Sequence, residues 1–269
     1  MTTAVLERVR IVLVEPAGAR NVGMVARVMK NFGLRHLVLV QPGCDHLGDE
    51  ARQMAVHAGD VLEAATVVDA LPGALRGCQR AIATTARHRT LDTKLETPHQ
   101  ALPWLLGAEA NPIQGALLFG PEDRGLSNEE LNYAQRFIQI PSDPVYPSLN
   151  LAQAVAVCSY ELYQWAIATP TIAPPTDCQL NAAASETAIA LPRETPDPAA
   201  LEQLEGFYQQ LESVLLAIGY LYPHTTNSRM QKFRRLFGRS QLSVDELAML
   251  RGILSQVEWA IGNDATRLS

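Results

Sequence analysis

Short apolar runs separated by helical segments are the feature that most limits the fold of this chain. Five such runs fall within the first 140 residues, at 9–14, 37–40, 80–85, 116–119 and 137–140. The runs are apolar throughout rather than alternating with polar residues, so both faces of each predicted strand need cover. Helical patterns between the runs supply that cover. The order predicts an α/β fold on a mostly parallel sheet with helices on both faces.

Capping and turn residues give the expected bounds of the helices between these strands. We predict helices at 22–31 with Asn21 as N-cap, 49–58 ended by Gly59, 71–75, 98–106, a short helix after a capping box at Ser127, and about 149–168 with Ser148 as N-cap. Gly33 lies just past the first of these, where a C′ glycine is common.

The composition changes at Thr169, where a proline-rich stretch begins. Such a stretch predicts an extended linker rather than a helix or a strand. Beyond it the pattern is helical, over about 198–221, 227–237 and 244–262, with Ser243 and Glu246 as a reciprocal cap pair. We therefore divide the chain into a domain over 1–168, a linker over 169–199 and a helical C-terminal extension over 200–269.

The net charge and the local charge clusters of the chain give opposite indications about nucleic-acid binding. A net charge of −6 argues against a nucleic-acid partner for the chain as a whole. Three basic clusters oppose that average and leave contact with RNA open: residues 228–239, residues 87–89, and the group Arg20, Arg27, Lys30 and Arg35.

The sequence lacks the patterns expected of a membrane protein, a secreted protein or a metal-binding protein. No apolar run approaches the roughly 18 residues of a membrane span, and no secretory pattern opens the chain. The four cysteines have neither paired nor metal-ligand spacing, so we expect no metal site. These patterns are typical of a cytoplasmic protein.

Ligands of parallel sheets bind outside the carboxyl ends of the strands, so the loops there are the ones to search. Four loop segments carry polar, glycine or proline residues, at 21–27, 84–90, 119–126 and 140–157. None has the spaced glycines of a dinucleotide site, a phosphate loop or a nucleophile elbow. A site built from backbone amides and small side chains suits a flat, adenine-bearing ligand better than a hydrolytic mechanism.

Three of these segments, in this order, resemble the three motifs of the SPOUT RNA methyltransferases. They are Asn21-x-Gly23-x-x-Ala26-Arg27, Phe119-Gly-Pro-Glu122-x-x-Gly125-Leu126, and Ile140-Pro141 followed by Ser148-Leu-Asn-Leu151-x-x-Ala154. The resemblance covers about residues 8–167. Within that superfamily, Val14-Glu15-Pro16, the element 84–90 and the C-terminal Arg-Arg-Leu-Phe and Leu-Arg-Gly-Ile-Leu resemble the TrmJ group. That group methylates the ribose 2′-hydroxyl of cytidine or uridine 32 in tRNA.

The resemblance implies a trefoil knot in the C-terminal part of the first domain, an obligate homodimer, and S-adenosylmethionine as methyl donor. The donor-binding positions that it implies are Thr84, Thr85, Ala86, Gly120, Ile140, Pro147, Ser148 and Leu149. Gly120 and Ile140 would act through backbone groups. Arg27 matches the catalytic motif arginine, which in the family acts on donor bound by the other subunit, and Asn150 matches the motif asparagine.

Three other interpretations remain open on the sequence. One is an enzyme of the same fold that methylates ribosomal RNA. A second is a non-catalytic RNA-binding protein on this scaffold, which the intact motifs disfavour. The third is an α/β enzyme with a small-molecule substrate, which the basic C-terminal segment and the missing cofactor motifs disfavour.

Overall fold

The computed structural model describes residues 3–86, 94–107, 112–168 and 197–267. Its helices are α1 Thr3–Leu6, α2 Ala19–Asn31, α3 Asp49–Ala55, α4 Gly59–Glu63, α5 Leu71–Ala74, α6 Pro98–Leu106, α7 Asn128–Leu131, α8 Leu151–Ala168, α9 Leu201–Ala217, α10 Thr226–Ser240 and α11 Val244–Arg267. Its strands are β1 Val9–Val14, β2 His36–Val40, β3 Thr66–Val68, β4 Arg80–Thr84, β5 Leu95–Glu96, β6 Gly115–Phe119 and β7 Arg136–Ile138.

The strands form one parallel sheet in the order β3-β2-β1-β6-β4-β7-β5. The five strands predicted from apolar runs are confirmed, each to within two residues at either end. The sequence patterns missed β3 and β5, which lie at the two edges and are three and two residues long. Segments this short carry too few residues to show a strand pattern.

Both faces of the sheet are covered, as the apolar strands predicted. Ile11 and Leu13 of β1 point into a core shared with α2, α3, α4, α6 and α8. Val12 and Val14 point into a second core with α5 and α7. Successive side chains of a strand face opposite ways, so a run without polar residues is what two covered faces require.

The beginnings of two helices differ from the prediction. Helix α2 starts at Ala19, so Asn21 lies in its first turn and is not the N-cap. Helix α8 starts at Leu151, and its cap is Asn150, whose Oδ1 accepts the amide of Ala152 at 2.9 Å. Ser148 is therefore not the cap, because an asparagine closer to the first helical residue takes that place.

The predicted helix over 49–58 was wrong in its last three residues. Helix α3 ends at Ala55 because Val56 has a φ of 56°, which breaks the helical path. Gly59 then begins α4 instead of ending α3. The predicted C′ role of Gly33 is confirmed, with a φ of 71° just beyond α2.

Helices α9, α10 and α11 pack around a core of their own, which includes Leu204, Phe207, Met230 and Leu254. The cap pair of Ser243 and Glu246 is confirmed at the start of α11. Residues 169–196 of the predicted linker and residues 87–90 lie outside the described residues. The trefoil knot stays a prediction of the resemblance. No helix in the described ranges has the length and apolar character to cross a membrane.

Candidate active site

A cleft lies at the carboxyl ends of β4, β6 and β7, the end of the sheet where ligands of parallel folds bind. It contains about 810 Å³ of space, part of it open to solvent. Its walls come from three segments: the end of β4, the turn after β6, and the loop from β7 into the first turn of α8. The segments that the sequence analysis selected at these three strand ends thus meet in one place.

The turn after β6 forms one wall of the cleft. Gly120 begins it, and a Cβ added there would lie 2.2 Å from the amide nitrogen of Leu126 and 2.3 Å from the carbonyl carbon of Gly125. No side chain fits at that distance, so only glycine lets the turn fold back on itself. The result is a wall of backbone groups that a flat ligand can approach closely.

The loop with three prolines forms another wall of the cleft. Ser142 donates from Oγ to the carbonyl of Pro147 at 3.0 Å, and the Val145 amide donates to the Asp143 carboxylate at 2.7 Å. These bonds and the fixed φ of the prolines restrict the loop. Val145 and Tyr146 at its tip are 91% and 80% exposed.

All eight predicted donor-binding residues line this cleft: Thr84, Thr85, Ala86, Gly120, Ile140, Pro147, Ser148 and Leu149. The two predicted catalytic residues do not. Arg27 is exposed on α2, and within the described ranges it makes no ion pair and no side-chain hydrogen bond. Asn150 is exposed between two lining residues, Leu149 and Leu151.

A hydrogen-bonded network joins the three motif segments, and Glu122 at its centre lines the cleft. The carboxylate of Glu122 accepts from Asn21 Nδ2 at 2.7 Å and from the amides of Ala17 and Gly18 at 3.1 and 3.3 Å. Asn21 in turn accepts from Asn150 Nδ2 at 3.0 Å. Burial raises the pKa of Glu122, but the donation from Asn21 and from the two amides outweighs it, so the pKa lies below its ordinary value.

A second carboxylate network holds the same turn from the other side. The guanidinium of Arg124, which lines the cleft, donates to Glu15 at 2.7 Å and to both oxygens of Glu130 at 3.0 Å. Hydrogen bonds to Glu130 and to Glu15 raise the pKa of Arg124. Bidentate pairing of this kind fixes both position and orientation.

The cleft can bind and align a ligand, but it has few groups that transfer protons. Glu122 and Arg124 are among the lining residues that the candidate list lacked, although both flank the turn in the sequence. Their positions within residues 119–126 were the only hint in the sequence that they belong to the site. Those positions did not show which residues each side chain would hydrogen-bond. Within the described ranges no three His, Cys, Asp or Glu side chains are placed to hold a metal ion.

Comparisons with known proteins agree with this geometry. Residues 8–160 match the model of the SpoU rRNA Methylase family, and residues 202–267 match the tRNA methyltransferase TrmJ C-terminal domain. The chain belongs to the SpoU methylase family, within its TrmJ group. The resemblance found in the sequence is thereby confirmed for both parts of the chain.

Individual relatives match over nearly the whole length. The tRNA (cytidine/uridine/adenosine-2′-O-)-methyltransferase TrmJ of Pseudomonas aeruginosa is 41% identical over 255 residues, which cover 94% of this chain and 95% of that protein. The Escherichia coli K12 tRNA (cytidine/uridine-2′-O-)-methyltransferase TrmJ is 40% identical, with 94% and 96% covered. The crystal structure of TrmJ from Z. mobilis ZM4 superposes with a TM-score of 0.76 at 30% identity, covering 93% of this chain and 98% of that one.

Proposed function

We propose that this chain is a tRNA 2′-O-methyltransferase, which transfers a methyl group from S-adenosylmethionine to a ribose 2′-hydroxyl. The target is a cytidine or uridine at position 32, at the start of the anticodon loop. The observation that carries this proposal is the match along both parts of the chain, the catalytic domain and the TrmJ C-terminal helices. The second match favours tRNA over ribosomal RNA, because it covers the part that lies outside the shared catalytic fold.

The residues of the cleft suit a nucleoside that carries a sulfonium group. Bound S-adenosylmethionine supplies a methyl group that is already activated for transfer. The bare turn at Gly120 leaves room for close approach, and Gly120 and Ile140 offer backbone groups to the adenosyl part. Thr84, Thr85 and Ala86 form one side, and the segment 147–149 forms the other. The chain therefore has to align the reactants and exclude water.

Arg27 and Asn150 act on the ribose and its neighbouring phosphate. A guanidinium stays protonated in proteins, so Arg27 cannot serve as an ordinary base. Arg27 binds the adjacent phosphate and stabilises negative charge on the attacking oxygen. A phosphate of the tRNA or a water molecule is then left to accept the proton.

The enzyme works as a homodimer in which Arg27 of one subunit completes the cleft of the other. Two observations support this arrangement: Arg27 is exposed, and it is absent from the lining of the cleft in its own chain.

Residues 1–168 form the methyltransferase domain, 169–199 the linker and 200–269 the C-terminal extension. The site of action is the cytoplasm, where the substrate tRNA is found.

The basic face of α10 supplies part of the tRNA contact. Arg229, Lys232 and Arg239 are exposed on this helix. Phosphate contacts weaken as salt rises, so we expect tRNA affinity to fall steeply between about 50 and 200 mM salt. An affinity that is insensitive to salt would contradict a phosphate-dominated interface.

The decisive experiment presents the purified protein with S-adenosylmethionine and two substrates, total tRNA and ribosomal RNA. We expect 2′-O-methylation of tRNA at one nucleotide of the anticodon loop and none of ribosomal RNA. Mapping the modified nucleotide in cells with and without the protein tests the same point independently. Methylation of ribosomal RNA alone would overturn the proposed substrate, and binding of RNA without binding of the donor would overturn the proposed reaction.

A further inference from the structure

Helix α7 is hydrogen-bonded to the cleft network through Glu130, and Tyr133, two residues past its end, lies beside Arg234 of the C-terminal helices. Its N-cap is Ser127, whose Oγ accepts the amide of Glu130 while Glu130 accepts the amide of Ser127. The same Glu130 carboxylate holds Arg124 in the cleft wall. A change in the position of α7 would therefore move the turn from Gly120 to Leu126.

The chain after α7 reaches the C-terminal helices through an aromatic residue. The amide of Tyr133 donates to the carbonyl of Glu130 at 3.3 Å, which ties Tyr133 to the helix. The guanidinium of Arg234, from α10, lies 5.8 Å from the centre of the Tyr133 ring and 4.5 Å from that of Tyr208. Arginine stacks on aromatic faces in this manner at largely dehydrated contacts.

Arg234 itself is fixed in place and is not one of the basic residues free for RNA. Its guanidinium donates to both oxygens of Glu205 at 2.6 and 2.7 Å, and each side chain of the pair is only 18% exposed. A bidentate pair at this depth holds the ring contact in one geometry, which a lysine could not reproduce.

Two further bonds hold the start of α9 on the catalytic domain. The amide of Leu201 donates to the carbonyl of Cys78 at 2.8 Å, and the amide of Gly77 donates to the Glu202 carboxylate at 2.7 Å. Leu201 also packs against the core on this face of the sheet. The C-terminal helices are thus attached at several points, so their contact with Tyr133 is part of a docked surface.

We propose that the C-terminal helices position the donor cleft. Arg234 holds Tyr133 and α7, and α7 holds the cleft turn through Glu130 and Arg124. Arg234 is thus a positioning residue for methyl transfer, at a distance from the reacting atoms. The proposal rests on the proposed function, since it takes donor binding as the activity of the cleft. By linkage, donor in the cleft stabilises the docked helices as much as docking favours the donor.

The test measures the Kd of S-adenosylmethionine by calorimetry in the full-length protein, without RNA. We expect Arg234→Ala to weaken donor binding roughly 5-fold or more. Tyr133→Ala, which removes the contact from the catalytic side, should have a similar effect. Arg251→Ala is the matched control, because it removes an exposed arginine of the same C-terminal helices, on α11, and should leave donor affinity unchanged.

A purely structural role for Arg234 would lower the melting temperature and leave the donor site of the folded protein intact. The proposal instead expects KM for the donor to rise in Arg234→Ala while kcat at saturating donor is kept. The double variant Arg234→Ala/Glu130→Gln should lose little more donor affinity than the weaker-binding single variant. Both residues belong to the same chain of contacts, from the C-terminal helices to the cleft turn, so their effects should not add.

Unchanged donor affinity in folded Arg234→Ala and Tyr133→Ala would overturn the proposal, and so would additive losses in the double variant. Arg234→Lys covers the case in which Arg234→Ala does not fold, because it keeps the charge but loses the bidentate pair. It should show a smaller weakening in the same direction, and wild-type donor affinity in that case would also contradict the proposal. If the unaltered protein itself binds no S-adenosylmethionine, the proposed function fails, and the two failures are thereby distinguished.

Discussion

The two ends of the sheet are built on opposite principles. At the carboxyl ends, the walls are turns, backbone groups and an exposed proline loop around an open cleft. At the amino ends, the guanidinium groups of Arg80 and Arg136 lie 4.8 and 5.0 Å from the ring centre of Trp104. There the C-terminal helices close the surface with Phe237 and Leu242. At the amino ends the chain packs its own side chains against one another, although Arg80 Nε and Trp104 Nε1 are buried there without a hydrogen-bond partner. At the carboxyl ends it leaves backbone and side-chain groups exposed to a ligand.

The arginines show the same contrast. Arg234 has two carboxylate oxygens and two aromatic rings as partners, whereas Arg27 has no ion pair within the described ranges. An arginine with many partners is held for structure, and an exposed one is available for substrate.

The largest effect is expected from Arg27→Lys. Lysine keeps the charge but loses the planar fork, so we expect single-turnover methylation to fall on the order of 100-fold while donor affinity is unchanged. Rapid-quench methylation of tRNA and calorimetry with S-adenosylmethionine measure the two quantities. Arg20→Lys, another exposed arginine of α2, is the control and should stay close to wild type. Near-normal turnover by the Arg27 variant would contradict the assignment of this exposed arginine to the substrate.

Gly120→Ala should come next. The added methyl would lie 2.2 Å from the Leu126 amide, so the turn must shift, at a cost of about 1–3 kcal/mol of unfolding free energy. Donor affinity should fall with it, because the turn is a wall of the cleft. Gly206→Ala makes the same change in α9, where nothing lies within 4 Å, and should stabilise by about 0.5–1 kcal/mol. Equal effects at both positions, measured by urea unfolding, would refute the argument.

Glu122→Gln should change the response to acid. The folded-state pKa of Glu122 is lowered, so its contribution to stability is complete above the unfolded pKa of roughly 4.3 and is lost as the pH falls through the folded value. We expect the variant to be less stable at pH 7 and to lose less stability between pH 5 and pH 3. Urea unfolding at several pH values measures this. Asp123→Asn, whose side chain makes no hydrogen bond within the described ranges, should keep the wild-type profile.

The smallest effect separates two candidate caps of α8. Asn150→Ala removes the bond to the Ala152 amide and should cost about 1 kcal/mol of unfolding free energy. Ser148→Ala should change stability by no more than about 0.5 kcal/mol, because Ser148 is exposed and does not cap the helix. A larger loss at Ser148 than at Asn150 would favour the sequence-based assignment over the structure.

Much of the site was accessible to sequence reasoning because its parts are local. A glycine after β6, prolines after β7 and a polar turn after β4 are each visible in a few neighbouring residues. The rule that ligands bind at carboxyl ends then brought the segments together without coordinates. The partners of Glu122 were not accessible, since Asn21 is 101 positions away in the chain. The partners of Arg234 were not accessible either, because the sequence analysis placed this arginine in a basic cluster that could contact RNA.

Local sequence patterns predicted five of the seven described strands, most of the helices between them, the parallel sheet and the loops that line the cleft. Each of these follows from a short pattern, because burial on both faces and turn geometry constrain neighbouring residues directly. The pairing of the arginines, the residue that caps α8 and the docking of the C-terminal helices on the domain became visible only in the folded chain. Those outcomes depend on contacts between residues far apart in the chain, and a local pattern contains no information about a distant partner.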